Sequence, residues 1–413
     1  MSTVLDRLVP HEAETPAAQY CAVETTDDTW DFAGQDTQYS THGLHTYVAA
    51  MIPGLARKLV DTYVQAGGSV YDPFCGGGAV MVETLRSGRV AVGSDINDLA
   101  VLISQAKTHH LPERLIEEAT GIVLTKAKLY QGAVLKFPKS ASVEFWFKDY
   151  MLQPLTGLKL AIDDISPAPL RTLLRVVFSH TVRSVSLTYR NEVRLRKMTE
   201  EEQAKFNLNV LDVFSKHIAF ARERVTALPE GASAAIGKRN VKKLSFANDS
   251  FDGIICSPPY GDERNGVNYT QFSKNMLYWL GGTQGQVKAS KDMTLGWGKA
   301  ARLVPPSATL ARVLAKIDDN PSAVGEAVAF YGDYYEALRE MARVVRSRVI
   351  IVIGNRVLHR TVIDNPQITV ELMNALGVPL EHIHFRSLPT KRLPKMREFG
   401  AAIDKEAILV FHK

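Results

Sequence analysis

Two short motifs of this 413-residue chain hold residue types that could do chemistry, and the first is a glycine-rich turn with acids nearby. The segment Asp72–Gly78 reads Asp-Pro-Phe-Cys-Gly-Gly-Gly and separates an apolar run from a helical pattern. Glycines at such a turn accept positive φ and let the backbone approach a ligand closely, while the helix start offers free N–H groups. Asp95 ends the next apolar run, where an acid can bind the hydroxyls of a ribose.

The class of ligand follows from a departure of this turn from the dinucleotide-binding pattern. After Gly76 and Gly78 comes Met81, where that pattern has its third glycine or alanine, and Asp72 would repel a pyrophosphate. A ligand with a cationic amino-acid end and a ribose suits the turn better, and S-adenosyl-L-methionine is such a ligand. A generic tight turn between a strand and a helix is the alternative that this motif alone leaves open.

The second motif, Ser257-Pro258-Pro259-Tyr260, follows the apolar run Phe251–Cys256. Two prolines fix φ and remove two backbone donors, which leaves carbonyl groups facing outward. A hydroxyl beside a carbonyl can accept both hydrogens of an exocyclic amine and so direct the nitrogen lone pair toward an electrophile. Tyr260 offers a ring on which a flat base can stack. A rigid proline turn that merely ends a strand is the alternative.

The elements around the motifs predict a parallel sheet that brings them together. Ser69–Asp72 is predicted as a strand, Ala79–Arg86 as a helix and residues 89–95 as a second strand, which makes one βαβ unit. Phe251–Cys256 is predicted as a further buried strand. Because open α/β sheets bind ligands at the carboxyl ends of their strands, both motifs are expected at one edge.

The remaining elements predict an enlarged catalytic core with two insertions. Five helices are predicted between residues 99 and 228, at Ala100–His110, Glu113–Tyr130, Met151–Ile165, Leu170–Val185 and Glu200–Leu228. Residues 261–330 are predicted to be irregular. A helix at Tyr331–Val345, a strand at residues 348–354, a helix at Gln367–Leu376 and two last strands at residues 382–388 and 406–412 complete the chain.

Composition favours a soluble intracellular enzyme and excludes several other classes of protein. With 46% hydrophobic and 23% charged residues, the chain can build a core, which excludes wholesale disorder, collagen and coiled coil. The net charge of +5 permits an anionic partner without requiring one. Three cysteines cannot form a disulfide framework, and no apolar run is long enough to cross a bilayer, so a cytoplasmic location is expected.

The two motifs together resemble those of the DNA methyltransferases that modify N4 of cytosine or N6 of adenine. Asp72–Gly78 resembles that family's cofactor loop, and Ser257–Tyr260 resembles its catalytic tetrapeptide, in the serine form typical of the cytosine-N4 enzymes. The resemblance implies an α/β fold with a Rossmann-like class I methyltransferase sheet, an antiparallel C-terminal hairpin and a helical insertion. It assigns S-adenosyl-L-methionine as the cofactor, held by Asp72, Phe74, Cys75, Gly76, Gly78, Asp95 and Ile96.

The resemblance also covers a segment before the cofactor loop, and it has one clear departure. Thr41–Tyr47 is similar to the segment that precedes the loop in the family, which places His45 among the expected cofactor-binding residues. Family members often carry an acid before the catalytic strand, but the corresponding run here is Gly237–Asn240, with the sequence Gly-Lys-Arg-Asn. No metal site is expected. Asp333 is expected to cap or open a helix.

The expected reaction is methylation of cytosine N4 in double-stranded DNA. The flipped base would place its amine hydrogens on Ser257 and the Pro258 carbonyl, and its nitrogen would attack the sulfonium methyl in line. Cys75 and Cys256 are not placed to act as the nucleophile of C5 chemistry. A restriction–modification system with a cognate endonuclease is the expected setting. The alternatives are an adenine-N6 enzyme, an RNA base methyltransferase, and a DNA-binding protein that keeps the fold without catalysis.

The domain organisation expected from these assignments has four parts. Residues 1–40 form an arm, 41–103 and 233–413 the catalytic core, 104–232 a helical insertion, and 262–328 an irregular insertion. One or both insertions are expected to read the DNA sequence. Three basic clusters could hold phosphates: Arg183, Arg190, Arg194, Arg196 and Lys197; Lys238, Arg239, Lys242 and Lys243; and Lys391, Arg392, Lys395 and Arg397.

Overall fold

A mixed sheet of eight strands organises the described part of the chain. The computed structural model describes residues 23–26, 28–130, 132, 134–189, 195–261, 268–297, 303–388 and 405–413. The strands are β1 (Val23–Thr26), β2 (Ser69–Asp72), β3 (Val90–Asp95), β4 (Ala235–Lys238), β5 (Phe251–Cys256), β6 (Val345–Gly354), β7 (Arg356–Leu358), β8 (Thr361–Ile363), β9 (Leu380–Ser387) and β10 (Lys405–His412). The sheet order is β1-β9-β10-β6-β5-β2-β3-β4, and β7 and β8 form a separate hairpin.

The strand directions place a topological switch point at the centre of the sheet. Strands β4, β3, β2, β5 and β6 are parallel, whereas β10 is antiparallel to both β6 and β9. From β2 the chain order proceeds through β3 and β4 on one side and through β5 and β6 on the other. Ligands of open α/β sheets bind where the order reverses. The predicted fold class, an α/β methyltransferase sheet with an antiparallel C-terminal hairpin, is confirmed.

Helices cover both faces of the sheet and form a separate bundle. They are α1 (Pro53–Tyr63), α2 (Ala79–Arg86), α3 (Asp98–Lys107), α4 (Glu113–Leu129), α5 (Val143–Trp146), α6 (Asp149–Asp163), α7 (Ala168–Val185), α8 (Glu200–Lys205), α9 (Val210–Thr226), α10 (Tyr269–Trp279), α11 (Gln284–Met293), α12 (Ala308–Lys316), α13 (Pro321–Val344) and α14 (Asn365–Ala375). None of the described helices combines the length and apolar character that a bilayer crossing requires.

Successive residues of the central strands pack on opposite faces of the sheet. Val70 and Ile255 join a cluster with α1 and α2, while Tyr71 and Ile254 join a cluster with α12, α13 and α14. This alternation follows from the two-residue repeat of a strand, and burial on both faces explains why these strands read as apolar runs.

A third cluster makes the helical insertion a compact unit. It unites α4, α6, α7 and α9 with α3 from the core and with α10. Trp279, at the end of α10, is 1% exposed and packs against Phe137, Phe147 and Phe178. Helix α10, which follows β5 in the chain, therefore completes the core of the helical insertion that precedes β5.

The structure differs from the predicted elements in several places. The segment expected to be irregular contains α10, α11, α12 and the first turns of α13. The expected N-terminal arm contributes β1, which pairs in parallel with β9. β4 was not predicted because its four residues form a partly exposed edge strand without an apolar run. The helix predicted at Glu200–Leu228 is divided into α8 and α9.

The packing of Trp279 predicts a large loss of stability on truncation. Trp279→Ala is expected to lower the free energy of unfolding by about 3–5 kcal/mol, the range for a buried aromatic residue. Trp279→Phe should cost less, since the indole N–H is buried without a hydrogen-bond partner. Denaturant titration checks both values. Leu129→Ala, at a side chain that is 75% exposed in the same bundle, is the control and should change little. Equal effects of Trp279→Ala and Leu129→Ala would contradict the shared core.

Candidate active site

The glycine turn between β2 and α2 has the backbone geometry that its sequence predicts. Gly76 and Gly78 have φ of +48° and +81°, both in the left-handed region that glycine tolerates. The Gly78 N–H donates to the Cys75 carbonyl at 2.7 Å, which closes the turn. A Cβ on Gly78 would lie 2.9 Å from Ser104 Oγ of α3, so any side chain there would force the turn away from α3.

Two carboxyl groups face the cleft above this turn. Asp72 Oδ1 accepts the Phe74 N–H at 2.9 Å. Asp95 accepts from Gly76 N–H at 3.0 Å through Oδ2 and from Asn97 N–H at 2.8 Å through Oδ1. The acid that ends β3 therefore holds the glycine turn in place, in addition to any contact with a ligand.

Burial controls the ionisation of both acids. Burial raises the pKa of Asp72 to about 8, and the neighbouring charge of Asp95 adds to the shift. Burial also raises the pKa of Asp95 to about 6, although its backbone hydrogen bonds act in the opposite direction. Among the described residues no ion pair involves either acid. Such a site favours a ligand that brings a positive charge.

The cleft brings together most of the residues predicted for the site. Its empty space is about 1000 Å³, with the open solvent at its mouth included. The predicted residues that line it are Asp72, Phe74, Cys75, Gly76, Asp95, Ile96, Ser257 and Pro259. The glycine turn thus shares one cavity at the carboxyl edge of the sheet with Ser257 and Pro259, whereas Gly78, Pro258 and Tyr260 are not among the residues that line it.

His45, also predicted to contact the cofactor, is not among the residues that line the cleft. Its side chain is buried, with Nδ1 2.6 Å from the Thr46 carbonyl oxygen and Nε2 3.0 Å from Ser179 Oγ. Burial first, and the neighbouring His180 next, lower its pKa well below the ordinary value. In this structure His45 joins the cofactor-loop side of the core to α7.

Tyr47 forms a wall of the cleft that the sequence did not single out. Its side chain lies close behind the turn. A Cβ placed on Gly77 would be 2.9 Å from the Cβ of Tyr47. The ring stacks on Tyr269 of α10 with centroids 6.2 Å apart. Tyr47 ends the segment that the family resemblance covers, but its contact partner Tyr269 lies more than 200 residues away in the sequence.

Lys107 supports the same wall from inside the protein. Its Nζ donates to the carbonyl oxygens of His42 at 2.8 Å and His45 at 3.0 Å, and burial lowers its pKa to about 7. A Cβ on Gly77 would lie 3.8 Å from this nitrogen. The lysine thus fixes the segment before Tyr47 against the glycine turn.

The tetrapeptide after β5 is held by two elements from the C-terminal half. The Tyr260 hydroxyl donates to Glu406 Oε1 of β10 at 2.9 Å, and Asn365 Nδ2 donates to the Tyr260 carbonyl oxygen at 3.1 Å. Pro258 is buried, while Ser257 is partly exposed toward the cleft. Cys256 is fully buried with its sulfur 3.9 Å from that of Met341.

The far wall of the cleft depends on a buried ion pair. Asp333 is fully buried in the middle of α13, so the prediction that it opens or caps a helix is wrong. Its Oδ1 accepts from Lys242 Nζ at 2.8 Å and its Oδ2 accepts from Gly296 N–H at 2.9 Å. These contacts anchor the two segments that contribute Asn240 and residues 293–295 to the cleft. Asn240 belongs to the run Gly237–Asn240, in which the acid expected from the family resemblance is missing.

The structure separates the predicted basic clusters into exposed and neutralised residues. Arg183 is 6% exposed and lies over the Phe272 ring at 4.6 Å, so it is a packing residue. Lys238 forms an ion pair with Asp98 at 2.8 Å, and Lys242 forms the ion pair with Asp333 of α13. The predicted residues that lie outside the described parts of the chain are Arg190, Arg194, Lys391, Arg392, Lys395 and Arg397.

Comparison with known proteins identifies the family of the chain. A family described as D12 class N6 adenine-specific DNA methyltransferase matches residues 55–279, more than half of the chain. The Type II methyltransferase M.MvaI of Kocuria varians is 29% identical over 399 residues, which cover 88% of this chain and 87% of that protein.

Two solved structures of methyltransferases also align with most of the chain. A SAM-dependent methyltransferase from Methanosarcina mazei aligns over 86% of this chain and 96% of its own, with 11% identity and a TM-score of 0.31. The rRNA methyltransferase aviRa from Streptomyces viridochromogenes aligns over 89% and 88%, with 12% identity and a TM-score of 0.29. The assignment of the fold is therefore based on the strand order of the sheet and not on these alignments.

The family match confirms the predicted cofactor, S-adenosyl-L-methionine, and agrees with the chemistry of the cleft. The buried Asp72 and the partly buried Asp95, without a cationic partner among the described residues, fit a ligand that carries positive charge and ribose hydroxyls. The chain belongs to the D12 class N6 adenine-specific DNA methyltransferase family, and it is a DNA methyltransferase that uses S-adenosyl-L-methionine.

Proposed function

We propose that the protein methylates the exocyclic amine of a base in double-stranded DNA at a specific sequence. The observation that carries this proposal is the shared cavity: Ser257 and Pro259 line the same cleft as Asp72 and Asp95. A group bound above the glycine turn and a base held by the tetrapeptide would therefore meet in one space, as direct transfer between them requires.

Within the cleft, four residues are proposed to hold the cofactor. S-adenosyl-L-methionine, when bound, supplies a methyl group activated by a sulfonium. Asp95 lies at the end of β3 with lone pairs available to ribose hydroxyls. Asp72 presents a carboxyl group to the cationic end, Ile96 offers an apolar contact to the adenine, and the Gly76 backbone allows close approach.

The tetrapeptide is proposed to hold the target amine without forming a covalent bond to the base. Ser257 Oγ and the Pro258 carbonyl accept the two amine hydrogens, and the Tyr260 ring stacks on the base. The thiols of Cys75 and Cys256 are both buried, and burial raises the pKa of each well above its ordinary value. Neither therefore supplies the thiolate that attack on cytosine C5 needs.

Two bases fit this chemistry, and a different observation supports each. The match to a family described as adenine-specific supports transfer to adenine N6. Ser257 in the first position of the tetrapeptide supports transfer to cytosine N4, through the resemblance to enzymes of that type. The relative from Kocuria varians is named a Type II methyltransferase, which supports a role in restriction–modification beside a cognate endonuclease.

The helical insertion is proposed to supply part of the DNA-binding surface. After α7 the chain folds back on itself: the Tyr189 N–H donates to the Arg196 carbonyl at 2.7 Å, and Thr188 pairs with Lys197. The exposed Arg196 guanidinium lies 3.6 Å from the centre of the Tyr189 ring, and Lys197 lies 4.2 Å from that of Phe145. Cations interleaved with aromatic rings suit nucleic acid.

The first experiment measures labelled methyl transfer to plasmid DNA, followed by nucleoside analysis. We expect N6-methyladenine or N4-methylcytosine, and the product identifies the base. Ser257→Ala should lose about 100-fold or more in transfer rate, as expected when a group that orients the nucleophile is removed. Ser250→Ala, at a serine near the surface before β5, is the control. C5-methylcytosine, or full activity of Ser257→Ala, would contradict the proposed chemistry.

The raised pKa of Asp72 predicts that cofactor affinity depends on pH. Below about pH 8 this carboxyl is mostly protonated in the free protein, and a cationic ligand favours its ionised form. Affinity should therefore rise between pH 6 and pH 8, by roughly 10-fold at most for each pH unit. Calorimetry on Asp72→Asn checks the cause, because this variant should lose that part of the rise. An identical pH profile in the variant would refute the assignment.

Contacts of the insertion with phosphates predict a strong dependence of DNA affinity on salt. Replacing Arg196 and Lys197 together by alanine should reduce the slope of log affinity against log salt by about 2, if each contacts one phosphate. Titration of duplex DNA at several salt concentrations measures this slope. Lys205→Ala, at an exposed lysine on α8 that pairs with Glu201, is the matched control. An unchanged slope in the double variant would exclude these residues from the DNA path.

A further inference from the structure

The catalytic tyrosine is attached to the sheet through its hydroxyl as well as through its backbone. Asn365 Nδ2 binds the Tyr260 carbonyl oxygen and, at 2.9 Å, the Gly354 carbonyl oxygen at the end of β6. The phenol reaches in the other direction, to Glu406 on β10. A ring held at both ends keeps one orientation, which a stacking surface for a base requires.

Glu406 is itself held so that its carboxylate stays in place. On β10 it lies opposite Gly354 of β6 and Arg386 of β9. Its side chain is 16% exposed, and its Oε2 lies 3.6 Å from Nη1 of Arg386, which is 2% exposed. A carboxylate paired with a guanidinium carries no hydrogen, so it can only accept hydrogen bonds.

The hydroxyl of Tyr260 has one hydrogen and donates it to Glu406. This bond fixes the outer end of the ring, while Asn365 holds the backbone carbonyl of the same residue. Glu406 therefore restricts where the ring of the tetrapeptide can lie.

We infer that Glu406 is a positioning residue for methyl transfer, which acts through the Tyr260 hydroxyl and holds the Tyr260 ring in the orientation that stacks on the target base. This inference rests on the proposed role of the tetrapeptide. Glu406 does not line the cleft that holds the cofactor residues, so its effect should fall on the transfer step and spare cofactor binding.

A double-mutant cycle between Glu406 and Tyr260 tests the inference. Glu406→Ala should lower kcat for DNA methylation by roughly 10-fold, the rate equivalent of one hydrogen bond to a charged group. Tyr260→Phe, which keeps the ring and removes the hydroxyl, should give a loss of similar size. In the Tyr260→Phe background, Glu406→Ala should cause no further loss, because the shared interaction is already absent.

Two further variants separate positioning from general damage to the fold. Glu406→Gln keeps an oxygen that can accept from the phenol and should retain most of the activity. Glu381→Ala removes another carboxylate of this sheet, which binds Arg348 away from the tetrapeptide, and should leave kcat unchanged. The dissociation constant of S-adenosylmethionine should be the same in all variants, and thermal unfolding shows whether each folds.

Several outcomes would overturn the inference. They are additive losses from Glu406→Ala and Tyr260→Phe, an unchanged kcat in Glu406→Ala, and weakened cofactor binding that accounts for the whole effect. Should Glu406→Ala fail to fold, a loss of kcat in Tyr260→Phe together with retained activity in a folded Glu406→Gln would support it, and full activity of Tyr260→Phe would overturn it. Failure of the proposed function is distinguishable, because the unmodified protein would then transfer no methyl group to DNA.

Discussion

The register between β2 and β5 is the constraint on which the site depends. Val70 lies opposite Gly253 and Tyr71 opposite Ile254, so the two strands end side by side. Asp72 and the turn after it therefore lie beside Ser257 and the prolines that follow it. A shift of one residue would turn the apolar side chains of either strand to the wrong face, so burial on both faces protects the register. The chemistry of the cleft thus relies on the most buried part of the sheet.

Around this fixed edge, the other walls of the cleft come from distant segments held by single strong contacts. Asp333 of α13 fixes the segments on the far side, and Lys107 of α3 fixes the segment before Tyr47. Tyr269 of α10 meets Tyr47 over the glycine turn, which connects the cleft to the helical bundle. DNA that binds to the bundle and a cofactor bound in the cleft would contact the same packed elements, which is a physical route for coupling between them.

The sequence predicted the parts of this site that local patterns specify. The bounds of β2, α2 and β5 agree with the predictions, because an apolar run that ends in a glycine turn or in two prolines marks a strand or helix boundary unambiguously. Tyr260 was predicted as a catalytic residue, but its partner Glu406 lies 146 residues away. Glu406 looked like an ordinary polar residue at the start of a strand, since its role comes only from tertiary pairing.

The same limit explains the errors in the segment after the tetrapeptide. The glycines and prolines of this segment, Gly281-Gly282, Gly296 and Pro305-Pro306, indicated an irregular stretch, but they lie between helices. Side chains next to these turns cap the helices that follow: Thr283 makes a capping box with Gln286, and Ser307 accepts the Leu310 N–H. Burial of one face of α10 in the helical bundle then stabilises that helix.

The electrostatics of the cleft show why its acids have no cationic partner among the described residues. Lys107 lies behind the glycine turn, yet its Nζ donates to two backbone carbonyls, and burial lowers its pKa to about 7. The raised pKa values of Asp72 and Asp95 mean that ionising these acids opposes folding. A cationic ligand that binds only the folded state relieves this cost, so binding and stability are linked. A buried cation placed to neutralise both acids would stabilise the empty protein and, for the same reason, weaken its affinity for the cofactor.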